Sequence, residues 1–205
     1  MTKKILIVDY GMGNLLSVAN AIRENGDQPV ISSNPADVIK ADYLILPGVG
    51  SFRSAMNRLE QAGLRDALEV YWAVKQRPLL GICLGMQLLA SHGIEDGGSR
   101  GLGIFEGIIN GFSTNCSVKI PHVGFNTVTC HPESTLFNGL PPETDFYFVH
   151  SYRLGEVPAI GRSSMCEYGD SFVAAWEYAN VFATQFHPEK SQANGLQVLR
   201  NFTHQ

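Results

Sequence analysis

The chain has 205 residues, a formal net charge of −4 and 17% charged residues, an ordinary composition for a folded protein with a sizeable core. No cluster of Lys and Arg residues could follow a phosphate backbone, which argues against nucleic acid and anionic membranes as partners. Only a short apolar stretch precedes Asp9, and no run approaches the roughly 18 apolar residues of a membrane span, so we expect a cytoplasmic protein.

The cysteines and the first loop match none of the common metal, disulfide or dinucleotide sites. The four cysteines lie far apart without any CxxC pair, at Cys83, Cys116, Cys130 and Cys166. Zinc sites and disulfide frameworks have other spacings, so we expect reduced thiols and no metal. The loop at 9–14 has Leu16 where a GxGxxG loop needs glycine, so we expect no dinucleotide cofactor.

The N-terminal half alternates apolar runs with helical patterns. Strands are predicted at Ile5–Val8, Val30–Ser32, Tyr43–Leu46 and Leu79–Ile82. Helices are predicted at Leu15–Glu24, near Ala36, at Phe52–Gln61 and at Ala67–Lys75. Near-continuous apolar strands that alternate with helices are typical of a parallel sheet buried on both faces. The sequence therefore predicts an α/β fold with a doubly wound, mostly parallel sheet.

After Gly101 the segments become shorter and richer in β-branched and aromatic residues. Further strands are predicted at Val118–Ile120, Asn126–Thr129, Asp145–Val149, Phe172–Trp176 and Val181–Gln185. We expect these mixed or antiparallel strands to extend the sheet, and we expect Ser191 to cap a last helix. Because no repeat or long linker divides the chain, we expect one domain over residues 1–205.

Cys83 lies where an apolar strand runs into a helical pattern, in the segment PLLGICLGMQLL, with Gly81 and Gly85 on either side. This G-x-C-x-G spacing is typical of a nucleophile elbow, a sharp strand-to-helix turn whose flanking positions must lack side chains. The unpaired N–H groups at the start of the helix favour the thiolate form. Cys83 is thus a candidate nucleophile, and the alternative is a buried cysteine between packing glycines.

A thiolate nucleophile needs an imidazole within hydrogen-bond reach and a third group that orients the imidazole. The motif His187-Pro188-Glu189 supplies both, because Pro188 favours extended geometry at His187 and residues two apart in an extended chain share a face. We expect His187 to be the base and Glu189 its orienting partner. A second His-Pro-Glu at 131–133 is interpreted as a surface turn. The remaining histidines, expected to be structural, are His92, His122, His150 and His204.

Acyl transfer also needs N–H donors aimed at the developing oxyanion. Leu84, the residue after the nucleophile, is expected to supply one. The glycine-rich turn at 47–50 follows the strand Tyr43–Leu46 at the carboxyl edge of the sheet, where α/β proteins bind ligands, and its Val49 is a candidate for the second donor. A plain β-turn is the alternative for this segment.

Three motifs together resemble the class I glutamine amidotransferases: PGVG at 47–50, GICLGMQ at 81–87 and HPEKS at 187–191. The start VDYGMGNLLSVANAI, with IPHVGFN at 120–126 and YFVHSY at 147–152, is similar to one of their subfamilies, the glutaminase subunits of imidazole glycerol phosphate synthases. That subfamily more usually has PHMGWN, so Val123 and Phe125 depart from its pattern. The resemblance covers the whole chain.

The resemblance implies roles that spacing alone does not select. The implied glutamine-binding residues are Gly48, Gly50, Gln87, Glu95, Ser151 and Tyr152. Gln87 is implied to hold the α-amino and carboxylate end of the substrate and Glu95 to meet its ammonium group, while Ser151 and Tyr152 are implied to offer backbone contacts. The loop at 9–14 is implied to face a partner synthase.

These motifs predict a glutaminase that forms a glutamyl thioester, with Cys83, His187 and Glu189 as its triad. The resemblance implies that it passes ammonia to a separate cyclase subunit with a (β/α)8 barrel. The implied complex is a heterodimer of histidine biosynthesis that makes imidazole glycerol phosphate and aminoimidazole carboxamide ribonucleotide. A paralogous glutaminase for amidation of a surface sugar stays open. A non-catalytic binding subunit with the same fold is a second alternative, and the intact triad argues against it. A cysteine peptidase or amidase with the same elbow is a third.

Overall fold

The secondary structure alternates strands with helices in the N-terminal half and is mainly β in the C-terminal half. The computed structural model describes residues 3–113 and 118–205. Up to residue 113 the strands are β1 Ile5–Val8, β2 Pro29–Ser32, β3 Tyr43–Gly48, β4 Leu79–Cys83, β5 Ala90–Gly93, β6 Ser99–Arg100 and β7 Phe105–Gly111. The helices of this part are α1 Leu15–Glu24, α2 Pro35–Lys40, α3 Phe52–Gln61, α4 Leu64–Glu69 and α5 Leu84–Leu89. A π-helical turn at Val70–Val74 directly follows α4. From residue 118 on, the elements are β8 His122–Thr129, β9 Glu143–His150, β10 Tyr152–Leu154, β11 Arg162–Tyr168, β12 Asp170–Tyr178, β13 Val181–Thr184 and α6 Gln192–Thr203.

Within the described ranges, one sheet has the strand order β2-β1-β3-β4-β13-β12-β11-β8-β9. The strands from β2 to β13 in this order are parallel. The pairs from β13 to β9 are antiparallel. A smaller sheet has the order β10-β7-β5-β6. The C-terminal β13 thus lies in the middle of the parallel part, directly beside β4.

Both faces of the parallel strands are buried, because side chains alternate between the faces along each strand. In β1, Leu6 and Val8 belong to a core cluster that includes residues of α3 and α4. Ile5 and Ile7 belong to a second cluster that includes residues of α1 and α6. Helices therefore cover the sheet on both sides, which is the doubly wound arrangement.

The predicted α/β architecture is confirmed, including the C-terminal strands that extend the sheet. The helices predicted at Leu15–Glu24 and Phe52–Gln61 have the predicted bounds. The strand predicted at Val118–Ile120 is wrong, because these residues belong to no ladder and Ile120 precedes Pro121, which has no N–H to donate. No helix of the described part is long and apolar enough to cross a membrane.

Candidate active site

A cavity of about 430 Å³ lies at the carboxyl ends of β3 and β4. These strands are parallel neighbours whose last residues, Gly48 and Cys83, are register partners, so the segments that follow them meet at one edge of the sheet. The predicted site residues that line the cavity are Val49, Gly50, Cys83, Leu84, Gln87, Glu95, Ser151 and Tyr152. Gly48, His187 and Glu189 are not among its lining residues.

Cys83 stands at a strained turn between β4 and α5. Its φ of 53° and ψ of −109° lie in a region that residues other than glycine rarely adopt. A Cβ on Gly81 would come 2.8 Å from the Gly85 carbonyl oxygen, and one on Gly85 would overlap the Leu46 carbonyl oxygen in β3. Both positions therefore require glycine for the strand to turn directly into the helix, as the elbow motif predicts.

The Cys83 thiol forms part of the cavity wall. Its Sγ accepts a hydrogen bond from Gln185 Nε2 at 3.7 Å and lies 3.9 Å from the Val149 carbonyl oxygen. Cys83 also precedes the first residue of α5, so the Leu84 N–H has no partner inside that helix. An amide donor and a helix start thus both favour negative charge on this sulfur.

His187 and Glu189 form a buried pair. His187 Nδ1 lies 2.8 Å from Glu189 Oε1, and the two side chains are 3% and 1% exposed. His187 has extended backbone geometry before Pro188, as the motif predicts. Because a carboxylate only accepts, His187 Nδ1 carries hydrogen and Nε2 remains for another group. Nε2 is buried and has no hydrogen-bond partner among the described residues.

Cys83 is the neighbouring group, because β13 runs parallel to β4 and Gln185, two residues before His187, contacts Cys83 Sγ. Burial by itself would lower the pKa of His187, but Cys83 and Glu189 together raise it from 6.5 to about 10. The pKa of His187 rises because negative charge on the neighbouring sulfur or carboxylate stabilises the imidazolium. The raised pKa therefore favours an imidazolium on His187 at neutral pH.

The backbone of His187 is held between β9 and Ser191. The His187 N–H donates to the Tyr147 carbonyl oxygen at 2.9 Å. The Ser191 hydroxyl donates to the His187 carbonyl oxygen at 2.7 Å and accepts from the Tyr147 N–H at 2.9 Å. Ser191 is the N-cap residue of α6, as predicted, but its side chain makes no cap hydrogen bond, because the hydroxyl is used in the contacts with His187 and Tyr147.

The turn at 47–50 packs tightly against the elbow. A Cβ on Gly48 would come 3.0 Å from Leu84 Cβ and would overlap the Tyr10 hydroxyl. Tyr10 is buried, and its hydroxyl donates to the Pro47 carbonyl oxygen at 2.9 Å. Gly48 is therefore required for close packing behind the cavity, and its proposed contact with the substrate stays a prediction.

Gln87 and Glu95 both line the cavity and already have protein partners. Gln87 is buried, and its Nε2 donates to the Tyr152 carbonyl oxygen at 2.8 Å and to Gln185 Oε1 at 3.0 Å. Glu95 Oε2 accepts from the Phe52 N–H at 2.7 Å, while partial burial raises the pKa of its carboxyl group. Gln87 thus holds Tyr152 in the cavity wall, and Glu95 places an acidic group in the cavity.

The comparison with protein families decides which reaction this geometry serves. The family model "Glutamine amidotransferase class-I" matches residues 6–205. The chain belongs to the class-I glutamine amidotransferases.

Curated relatives of this amidotransferase match over nearly its full length. The "Imidazole glycerol phosphate synthase subunit HisH 1" of Campylobacter jejuni (strain RM1221) is 45% identical over 198 residues, which are 97% of this chain and 98% of the relative. The "Imidazole glycerol phosphate synthase hisHF, chloroplastic" of Arabidopsis thaliana is 41% identical over 204 residues, which are 98% of this chain and 34% of the relative.

Solved structures share the fold of the amidotransferase. A glutamine amidotransferase matches with a TM-score of 0.76 at 17% identity, covering 97% of both chains. The PurLQS structure from Thermotoga maritima matches with a TM-score of 0.74 at 17% identity, covering 100% of this chain and 99% of that chain. At this identity the similarity concerns the architecture.

Several residues at the amidotransferase cavity were not predicted from the sequence. The additional lining residues are Ser51, Pro121, Val149 and His150. Gln185, fully buried behind the cavity, donates to Cys83. The sequence contains a sign of this contact, because Gln185 lies two residues before His187 at the end of an apolar strand. Residues two apart in a strand share a face, so Gln185 and His187 point the same way. His150 was expected to be structural, yet it reaches the cavity.

The second His-Pro-Glu motif of the amidotransferase lies elsewhere. Residues 131–133 form a turn in which Pro132 and Glu133 are exposed, which confirms the interpretation as a surface turn. His131 Nδ1 accepts from the Glu133 N–H at 3.2 Å, so its partner is a backbone amide and not a carboxylate.

A diazoketone analogue of glutamine is expected to label Cys83 of the amidotransferase and to spare its other cysteines. Cys83 lines the cavity, whereas burial raises the pKa of Cys130 to about 11 and of Cys166 to about 12, so both stay thiols at neutral pH. Cys116 lies outside the described residues. Mass spectrometry of the digested protein locates the label, excess glutamine is the protection control, and a label on another cysteine would contradict the assignment.

The His187 imidazole is expected to stay protonated until about pH 10, because its pKa is raised above the ordinary 6.5. Cys83→Ala removes one anion and Glu189→Gln another, so each change is expected to lower the pKa of His187 by about one pH unit or more. A ¹⁵N NMR titration of histidine-labelled protein measures this. His122 and His150 are neutral references, since burial lowers their pKa to about 4 and about 3. A His187 that titrates near pH 6.5 would contradict the ion pair.

Proposed function

We propose that this chain is the glutaminase subunit of an imidazole glycerol phosphate synthase in histidine biosynthesis, with residues 1–205 as one catalytic domain. The observation that carries the proposal is the full-length similarity, 45% identity over 97% of the chain, to a relative with that name. The strained Cys83 beside the buried His187 and Glu189 supplies the chemistry.

In the proposed reaction, the proton of Cys83 is transferred to His187 before glutamine is attacked, and the resulting thiolate attacks the side-chain amide carbon of glutamine. The carbon–sulfur bond forms and the carbonyl π electrons move to oxygen, where the Leu84 and Val49 N–H groups donate hydrogen bonds. The His187 imidazolium then protonates the amide nitrogen, the carbon–nitrogen bond breaks and ammonia leaves.

The second half of the reaction regenerates the thiol. His187, now neutral, takes a proton from a water molecule as its oxygen attacks the glutamyl thioester. The carbon–sulfur bond breaks, the proton returns to Cys83 and glutamate leaves. Glu189 keeps the hydrogen on His187 Nδ1 in both halves, so that Nε2 exchanges the proton with sulfur and water.

The glutamine is proposed to bind in the cavity beside Cys83. A volume of about 430 Å³ accommodates a single amino acid. Glu95 is the proposed partner of the substrate ammonium group, and Ser151 and Tyr152 are proposed to offer backbone contacts. Gln87 is proposed to act at the α-amino and carboxylate end, with its Nε2 already holding Tyr152. Gly50, with a φ of 109°, lets the backbone approach the ligand closely.

The proposed partner is a cyclase subunit with a (β/α)8 barrel that receives the ammonia in a heterodimer. The word subunit in the name of the Campylobacter relative supports a partner chain, and so does the name hisHF of the Arabidopsis relative, of which this chain covers 34%. The loop at 9–14 is the proposed contact with that partner. Its Tyr10 connects the loop to the turn at 47–50 through the hydrogen bond to Pro47.

The test is glutamine-dependent synthesis. The chain is mixed with the cyclase subunit of the same organism, its nucleotide substrate and glutamine, and we expect glutamate and imidazole glycerol phosphate in equal amounts. Glutamate release without this product would favour the sugar-amidation paralogue. A chain that releases no glutamate with or without a partner would favour a non-catalytic binding subunit and overturn the proposal.

A further inference from the structure

Two buried histidines outside the proposed triad link the cavity wall to β8. His122 and His150 are register partners on the neighbouring strands β8 and β9, and His122 Nδ1 lies 3.0 Å from His150 Nε2. They are 1% and 6% exposed, and His150 also lines the cavity. Neither histidine takes part in the proposed proton transfers, so their placement needs another explanation.

The hydrogen-bond partners determine which ring nitrogens carry hydrogen. His150 Nδ1 lies 2.9 Å from the Tyr152 carbonyl oxygen, which can only accept, so Nδ1 is the donor. His150 Nε2 then has a lone pair and accepts from His122 Nδ1–H. His122 Nε2 in turn accepts a hydrogen bond from Asn126 Nδ2 at 3.4 Å. The other hydrogen of Asn126 Nδ2 is donated to the Glu167 carbonyl oxygen at 3.0 Å. Both rings therefore have the same tautomer, with hydrogen on Nδ1.

The surroundings keep both rings neutral. His122 is stacked on Tyr168 and Phe148 with centroid distances of 3.8 and 4.8 Å. His150 packs against Phe172 at 5.1 Å. Burial lowers the pKa of both rings, and nearby Arg153 and His187 add to the effect at His150. A neutral ring has one donor and one acceptor nitrogen, so the direction of the hydrogen bonds is fixed.

The same series of hydrogen bonds continues to the nucleophile. The Tyr152 carbonyl oxygen accepts from Gln87 Nε2 as well as from His150 Nδ1. The second hydrogen of Gln87 Nε2 is donated to Gln185 Oε1, and Gln185 Nε2 donates to Cys83 Sγ. The Tyr152 carbonyl oxygen is therefore the point where the histidine pair and the residues behind Cys83 meet.

We propose that His122 and His150 are positioning residues for glutamine hydrolysis, which hold the Tyr152 carbonyl group and, through it, Gln87 in the orientation that the glutamine pocket needs. The proposal rests on the proposed glutaminase function. Without the His122 donor, His150 Nε2 is a buried acceptor without a partner, and the ring is no longer held on this side. The ring can then tilt, which weakens the Nδ1–H bond to the Tyr152 carbonyl oxygen and releases the pocket wall.

The kinetic test compares three variants in the complex with the cyclase subunit. In His122→Phe the ring can still stack but neither donates nor accepts, and we expect the KM for glutamine to rise about tenfold or more while kcat changes less than about threefold. His122→Gln keeps an N–H donor and is expected to recover part of the loss. Tyr168→Phe is the matched control, because it alters the same aromatic cluster outside the hydrogen-bond series and leaves KM unchanged.

The pattern of kcat and KM separates positioning from stability. A purely structural role would lower the amount of active enzyme, and hence kcat, at constant KM in both His122→Phe and Tyr168→Phe. That result, or an unchanged KM in His122→Phe, would overturn the proposal. If the unsubstituted complex releases no glutamate, the proposed function fails, and the tautomers can still be measured.

The tautomer test does not depend on activity. In ¹⁵N NMR spectra of the histidine-labelled full chain at neutral pH, both His122 and His150 are expected to carry hydrogen on Nδ1. In His122→Phe the His150 Nδ1–H proton is expected to move upfield, because its hydrogen bond to the Tyr152 carbonyl oxygen weakens. Hydrogen on Nε2 of either ring in the unsubstituted protein reverses the direction of the series and overturns the proposal. The tautomers of the unsubstituted protein test the proposal even if His122→Phe folds poorly.

Discussion

Cys83→Ala is expected to abolish glutamine-dependent synthesis, with a loss of about four orders of magnitude or more in glutamine hydrolysis, roughly 5 kcal/mol of transition-state stabilisation. Synthesis from added ammonium salts is expected to continue, because the partner needs only ammonia. The physical reason is that the covalent intermediate has no substitute at this position: the strained turn presents one side chain beside His187, and alanine has no nucleophile. Cys83→Ser is expected to behave in the same way.

Both activities are measured in the same complex, as glutamate release and as product formation with glutamine or with ammonium. Cys130→Ala is the matched control, since it deletes a buried thiol that does not line the cavity, and it should retain both activities. Loss of the ammonium-dependent reaction in Cys83→Ala would contradict the proposed division of labour between the two subunits.

The isolated chain is expected to hydrolyse glutamine slowly, and the rate is expected to rise by about two orders of magnitude or more when the cyclase and its nucleotide are both bound. This corresponds to about 3 kcal/mol, the contribution of one oxyanion donor. Val49 is 43% exposed and lies between two glycines, so its peptide has the freedom to turn its N–H toward or away from the cavity.

A contact between the turn and the proposed partner-facing loop supports this gating. A Cβ on Gly50 would come 2.6 Å from Met12 Cε, so the loop at 9–14 touches the segment that contains Val49. Glutamate release is compared for the chain alone, with cyclase, and with cyclase plus nucleotide, and Cys83→Ala in each mixture gives the background. Full activity of the isolated chain would defeat the gating and leave the triad assignment untouched.

The elements of the site that depend on neighbouring residues were predictable. The elbow needs Gly81 and Gly85 within two residues of Cys83, and the orienting pair needs Glu189 two residues after His187, so both signals are local and both have the predicted geometry. Their catalytic roles stay predictions until the variants are measured. The strand at Val118–Ile120 was predicted from composition alone, and such a segment becomes a strand only if a neighbour offers a ladder.

The smaller sheet shows the limit of such patterns. Its β6 has two residues, and β10 has three. Strands of this length contain too few side chains to show alternation, so their pairing is decided by the elements around them. Glu95 lies between β5 and β6, and its contact with the Phe52 N–H depends on where this sheet places it.

Local sequence patterns predicted the order of strands and helices in the N-terminal half, the strained cysteine and the His187–Glu189 pair, because each depends on residues that are close together in the chain. The doubly wound sheet was predicted from the alternation of buried strands with helices. The position of β13 beside β4 follows from the tertiary structure alone, and it brings Gln185 and His187 to Cys83 from about 100 residues away. The pairing of His122 with His150 and the packing of Gly48 against Tyr10 and Leu84 depend on it in the same way. Strand order and side-chain contacts across a sheet are fixed when the whole chain buries both faces of the sheet, and no local sequence pattern contains that information.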